Sequence, residues 1–332
     1  MDAYAKAVGV KQADYFPAAW DMVHLNGRIW GLMQEFDFQR LGWNKAIHKG
    51  PPPKTIAELD ALCKQYVKFD GKGNLTQAGI IPWQYNGGLD FLTFSAAWGA
   101  SYYDNVKGKW TINTPQNRQV LDWYLKHSEM MGGRTKVEGL LSSAKAGFGS
   151  DPWFAGKVAF DLIGEYEPAP EGGTIVLFSP KMKYGLAHVP TAPGVPYGTG
   201  QTGGGNVFLL PTKCPHPKEA AVLITYLGGL NAVKEWNIRE GNFPPVKAVV
   251  FSDEFKKKLP YMGPWIETLS KNLMQPALQS PQTPIFNDAM QLAIDAVTYK
   301  RKTSAQALAD VETKVKAGIQ SFKISHPSWP NE

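Results

Sequence analysis

Four carboxylates, Asp37, Asp90, Asp161 and Glu165, are the side chains of this 332-residue chain best suited to chemistry on a polar ligand. Convergence of two of them, one with a raised pKa and one ordinary, would make a glycosidase pair. The same groups accept hydrogen bonds from hydroxyls, so they equally suit a site that grips its ligand unchanged, and geometry separates the two uses. Tyr166 follows Glu165 just after the apolar run 157–163, where a flat ring at a strand end can stack on a ligand face. Other chemistries lack their residues. The run Gly198-Thr-Gly-Gln-Thr-Gly203 has the spelling of a dinucleotide fingerprint. That motif must follow a strand and open a helix, whereas this one follows a Pro-rich loop and opens a strand. Its glycines suit a hinge instead. The six histidines, His24, His48, His127, His188, His216 and His326, have no metal-ligand spacing. Ser150 makes no Gly-x-Ser-x-Gly elbow, and Cys63 and Cys214 are read as two free thiols. No metal or cofactor is expected.

The net charge of +6 is spread over lysines that stand singly or in short groups such as Phe255-Lys-Lys-Lys-Leu259. No Arg-rich run interleaves with aromatics, which argues against a nucleic-acid partner. No run of about 18 apolar residues exists, so neither a spanning helix nor stable membrane insertion is expected. The start, Met1-Asp-Ala-Tyr-Ala5, has no basic region followed by an apolar one and is read as lacking an export signal. At 43% hydrophobic content the length suffices for two packed units, and eleven Trp exceed what a core usually needs.

Several elements must position these residues. A strand is predicted over 27–32. Thr55-Ile-Ala-Glu58 reads as a capping box opening a helix with Ile56, Leu59, Leu62, Tyr66 and Phe69 on one face. A strand over 79–83 and a helix over 90–98 follow. Thr114-Pro115 sets the N-cap and first turn of a helix reaching Met131. Strands at 157–163 and 207–210 precede helices near 217–230, 231–240, 252–259, 261–272, 284–299 and 303–320. Strands alternating with helices imply an α/β architecture.

The order of several segments carries more than any one of them. Asn26-Gly-Arg-Ile-Trp-Gly31, Asp37 to Lys45, Pro53-Lys-Thr-Ile-Ala-Glu-Leu59, Trp98-Gly99, the run from Phe154 to Tyr166, Tyr184 to Pro190, Gly203 to Pro211 and Pro217-Lys-Glu-Ala-Ala221 are colinear with one family's segments. From about Asn26 to about Ile319 the chain resembles bacterial extracellular solute-binding protein family 1, the sugar-binding ABC-importer group that includes maltose-binding protein. The resemblance implies a two-lobed periplasmic-binding-protein-like α/β fold with hinge crossings. Lobe I is then 1–37 and 204–261, and lobe II is 38–203 and 262–332. It implies a non-enzyme that captures a mono- or oligosaccharide between the lobes and delivers it to the transmembrane subunits of an ABC permease, as a monomer, in the periplasm or at the cell surface in its full-length form. The family's opening strand-helix-strand has no counterpart here, so lobe I is expected to be incomplete, with unpaired strand edges and an exposed apolar face.

The resemblance also assigns roles. Asp37 stands where the family places an acidic sugar ligand, and Tyr166, beside Glu165, takes the position of a stacking Trp. Asp90 and Trp98 bracket the helix that lines lobe II. Gly204, Gly205 and Asn206 supply backbone N–H groups and an amide from the crossing strand, and Asn242 and Phe243 match the loop before the Pro-x-Arg motif, with Lys247 in place of Arg. Met33 replaces an expected Pro, and Gly42-Trp43 replace an aromatic pair. Two alternatives stay open: a carbohydrate-active hydrolase using two of the carboxylates, and a binder of the same fold for a ligand such as a polyol phosphate, for which the positive charge is a hint.

Overall fold

Large apolar side chains segregate into two separate cores. The computed structural model describes residues 1–25, 27–83, 89–143, 151–201 and 204–326, with the side chains of Leu89 and Asp90 outside the description. One core gathers Phe16, Trp20, Phe36, Phe38, Phe243, Phe255 and Trp265. The other gathers Leu41, Phe94, Tyr124, Trp153, Phe160, Phe286 and Leu308. Complete burial of each such side chain stabilises by roughly 1.5–3 kcal/mol before chain entropy is counted. Membership of the cores locates the crossings. Phe38 packs in the first and Leu41 in the second, so the chain changes lobe at Gln39 and Arg40. Trp265 and Leu269 belong to the first core and Leu278 to the second, so the last crossing falls after the helix Gly263–Ser270 and not at 261/262. The cause is local, since the Trp265 indole donates to the Phe38 carbonyl at 2.7 Å and pins that helix to lobe I.

Five strands position the site: β1 (Gly31–Asp37), β2 (Arg40–Asn44), β3 (Phe160–Ile163), β4 (Tyr184–Ala187) and β5 (Gly204–Leu209). In lobe II, β2 lies between β3 and β4, antiparallel to both, and all of its residues are buried. Close approach explains one departure from the family's wording: a Cβ at Gly42 would come within 2.4 Å of Ile163, so an aromatic has no room there. In lobe I, β1 and β5 pair antiparallel. The other edge of β5 has no partner strand among the described residues, and Leu209, Val222, Leu223 and Tyr226 stand exposed nearby along β5 and the helix Pro217–Leu227.

Most predicted helices form, and two of their caps are seen in detail. Thr55 and Glu58 make the reciprocal capping box of the helix Ile56–Tyr66, and Thr114 accepts from the Asn117 N–H at the start of the helix Pro115–Met130. That first helix stops at Tyr66, so Phe69 falls in a short hairpin strand and is exposed instead of lining the helix face. The predicted strand at 79–83 does not form, and the pairing nearby is a single bridge one residue earlier, between Ala78 and Val158; Pro82, without an N–H, could not have donated to a ladder. The predicted strand at 27–32 becomes the brief Arg28–Ile29 pairing followed by β1, which runs on to Asp37. Residues 144–150 lie outside the described residues, as do Asn26 and Gly203.

The helices Ile56–Tyr66 and Pro115–Met130 are joined by Asp60, which accepts from Trp123 Nε1 at 2.7 Å, His127 Nε2 at 2.9 Å and Lys126 Nζ at 2.5 Å. Burial acts to raise its pKa, but the hydrogen bonds from His127, Lys126 and Trp123 outweigh burial and hold it at about 2. A folded-state pKa below the unfolded value gives stability that is present above about pH 4 and lost as the pH falls toward 2. Asp60→Asn is therefore expected to cost about 1–2 kcal/mol at neutral pH and to converge with the parent protein in acid. Thermal unfolding of both proteins across that range checks this, and a deficit independent of pH would refute it.

Candidate ligand-binding site

Strand alternation brings the acidic groups together. On β1, Glu35 and Asp37 are two residues apart and share a face, with Asp37 at the strand end where the chain leaves lobe I. β5 pairs so that Asn206 lies opposite Glu35 and Gly204 opposite Asp37. Asn206 Nδ2 donates to one Glu35 oxygen, and Asn242 Nδ2 and Trp236 Nε1 (2.8 Å) donate to the other. Three elements of lobe I thus converge on one nearly buried carboxylate. Burial raises its pKa, and the three donors partly offset that.

Lobe II meets this cluster through the loop after β3. Glu165 is completely buried and lies beside Asp37, while Asp37 and Tyr166 are half-buried. A few residues on, Ala169 packs against Gly241, and the Tyr261 hydroxyl donates to the Gly241 carbonyl at 3.4 Å. Burial raises the Glu165 pKa well above the ordinary carboxylate range, and the neighbouring Asp37 charge adds to the rise. At the crossing itself Arg40, wholly buried, donates to the carbonyls of Gln39 (2.7 Å) and Pro264 (3.3 Å) and to the Thr268 hydroxyl.

Asp37, Glu165, Gly204, Gly205, Asn206 and Asn242 therefore gather where the lobes meet, with Tyr166 adjoining Glu165 in the chain. Other expected residues do not join them. Phe243 is fully buried in the first core among Phe16, Phe36, Phe38 and Phe255, because its neighbour Asn242 takes the side facing Glu35. Trp98 packs on the second core with its ring 6.4 Å from Trp123. The Asp161 carboxyl is engaged with Asp151 and the Leu162 N–H instead. The Asp90 side chain lies outside the described residues. Sequence reasoning missed Glu35, Trp236 and Arg40. Period-two spacing from Asp37 was a signal for Glu35; no local pattern marked the other two.

Among the described residues no group of three or more His, Cys, Asp or Glu side chains could hold a metal ion. His48, His127 and His188 are engaged with Pro51, Asp60 and Glu267 respectively. Gly200–Gln201 pair with Met274–Gln275, and the next described element is the strand β5 and not a helix, unlike a dinucleotide site.

The sequence model of the family described as "Bacterial extracellular solute-binding protein" matches residues 5–261 of the 332. The chain belongs to that family. This solute-binding protein is 24% identical to a probable ABC transporter-binding protein of Deinococcus radiodurans, over 94% of its own length and 74% of the relative's. Its fold matches that of mannobiose-bound CpMnBP1 with a TM-score of 0.82 at 24% identity, covering 95% of this chain and 78% of the other. It also matches the sugar-binding protein MalE of the phytopathogen Xanthomonas citri with a TM-score of 0.74 at 16% identity, covering 99% and 81%. The expected two-lobed fold with hinge crossings is thereby met, and no helix among the described residues is long and apolar enough to cross a membrane.

Proposed function

We propose that this solute-binding protein is the substrate-binding component of a carbohydrate ABC importer. It holds a mono- or oligosaccharide unreacted between its lobes and presents it to the importer's transmembrane subunits, working as a monomer in the periplasm or at the cell surface. The observation that carries this is the meeting of Asp37 and Glu165 with the Glu35–Asn206–Asn242 cluster at the seam of two lobes, in a family whose members bind solutes. Carboxylates and amides at the rim of a site suit the hydroxyl edge of a sugar, and Tyr166 suits its C–H face.

Hydrolysis is less well supported. A retaining glycosidase separates its carboxyl groups by about 5 Å and an inverting one by more, whereas Glu165 and Asp37 lie within hydrogen-bonding reach of each other. A phosphate ligand is also disfavoured, since the acidic groups Glu35, Asp37 and Glu165 crowd the seam while Arg40 is spent on Gln39, Pro264 and Thr268. Calorimetric titration with a panel of mono- and oligosaccharides is expected to find a binder. Asp37→Ala should weaken that binding by about 10- to 100-fold, the loss of a hydrogen bond to a charged acceptor. A panel without any binder, or turnover of aryl glycosides abolished by Glu165→Gln, would overturn the reading.

A further inference from the structure

Glu165 has surroundings that an ionised carboxylate would not tolerate. It is fully buried at the lobe II end of the seam, and apart from its own backbone N–H no hydrogen-bond donor among the described residues serves its carboxyl oxygens. Its polar neighbour is another acceptor, the Asp37 carboxyl at the end of β1 in lobe I. Two ionised carboxylates in one buried site repel each other and forgo hydration, so such a pair keeps one proton between them. The other charged and titratable groups facing Glu165 do not relieve it. Glu35 on β1 adds repulsion. Arg40 at the start of β2 attracts it, but its guanidinium hydrogen bonds go to Gln39, Pro264 and Thr268. Tyr261, on the turn before the Gly263–Ser270 helix, directs its hydroxyl to the Gly241 carbonyl. Glu167 on the same loop is satisfied separately, by the Gly164 N–H at 2.8 Å and the Thr174 hydroxyl at 3.1 Å.

We propose that Glu165 is a positioning residue, a neutral carboxylic acid that donates its proton to Asp37 across the two lobes and so turns the other Asp37 oxygen toward the ligand. Nothing is transferred beyond one proton held along a single O–H···O bond. Asp37 is then the accepting partner, half-buried, and Glu165 stays behind it, fully buried. The pair presents one negative charge and not two, which accepts a hydroxyl and repels an anion. The inference rests on the reading of Asp37 as a ligand contact, and it adds a dependence on pH. A carboxyl whose folded-state pKa is raised contributes stability that is full below the ordinary glutamate value and is lost as the pH rises through the folded-state value. Loss of the proton leaves two charges facing each other and separates the ends of β1 and β3.

The test uses ligand-free protein, so a failed sugar panel and a failed proton pair give different results. Glutamine stays neutral and can donate an N–H to Asp37 at every pH; alanine cannot. Thermal unfolding of the parent, Glu165→Gln and Glu165→Ala proteins from about pH 5 to about pH 9 should show the Tm of Glu165→Gln rising relative to the parent by about 3 °C or more across the range. Glu165→Ala should lie below both at the acid end. Parallel profiles for parent and Glu165→Gln would overturn the proposal. In the unaltered protein the carboxyl carbon-13 shift of Glu165 should titrate well above an ordinary glutamate, and a midpoint near about 4 would overturn it regardless of how any variant folds.

Discussion

Arg40→Ala is expected to destabilise the protein by about 3–5 kcal/mol. The Arg40 side chain is fully buried, and it is the piece that joins the crossings. Its Nη1 serves the Gln39 carbonyl, its Nε serves the Pro264 carbonyl, and its Nη2 reaches Thr268, whose hydroxyl in turn donates to the Gly198 carbonyl at 2.8 Å. Segments from all three crossings are thereby tied to one guanidinium, which also lies over the Phe38 ring at 4.5 Å. Alanine would leave those acceptors buried without a donor, each costing roughly 1–3 kcal/mol, and would open a cavity besides. Burial works against the arginine's own charge, with Glu165, Tyr197 and Glu267 opposing that effect. Removing the charge therefore returns part of the loss. Arg40→Met, which fills the volume, should cost less than alanine, and Arg40→Lys should recover little because an ammonium cannot reproduce the planar fork. Equilibrium unfolding in urea compares the three, and small-angle scattering reports whether the lobes spread. Melting of Arg40→Ala like that of the parent would show that the crossings are held by something else.

Gly205→Ala is expected to be nearly as damaging, about 3 kcal/mol, while its neighbour Gly204→Ala should cost only about 1 kcal/mol. Both glycines adopt positive φ, +156° at Gly204 and +152° at Gly205, so backbone strain is common to both substitutions. Space separates them. A Cβ at Gly205 would stand 2.3 Å from the Glu35 carbonyl oxygen and 2.7 Å from the Phe36 Cα, whereas a Cβ at Gly204 meets nothing within 4 Å. Backbone atoms cannot swing aside as a flexible side chain would, so alanine at 205 must push β5 away from β1. That displacement withdraws Asn206 from Glu35, and sugar affinity should fall with stability at Gly205 but not at Gly204. Differential scanning calorimetry and titration of the paired variants test this; equal losses at both positions would assign the effect to φ alone.

Much of the architecture was legible before any coordinates. The capping box at Thr55 and the Thr114-Pro115 start depend only on residues within one turn, and both appear as read. The alternation of strands and helices and the colinear segments from Asn26 to Ile319 gave the two-lobed fold, because spacing along the chain carries topology. Errors came where a local pattern competed with partners distant in sequence. Phe69 suited a helix face, but the helix had ended and a hairpin had taken the residue. The lobe boundary at 261/262 followed family wording, but an indole hydrogen bond from Trp265 to Phe38 holds that helix in lobe I.

The site divides along the same line. Sequence by itself determined which residue types reach the seam, since Asp37 ends a strand, Glu165 and Tyr166 follow one, and Asn206 sits on the strand that pairs with β1. It could not tell Asn242 from Phe243, whose adjacent side chains diverge, one onto Glu35 and the other into the core. Nor could it find Trp236, about 200 positions from Glu35, or the role of Arg40. Only the tertiary structure decided that Glu35 would be surrounded by donors while, among the described residues, Glu165 meets none from elsewhere in the chain, because the state of a buried carboxyl depends on the groups that folding packs against it, and those come from segments remote in the chain.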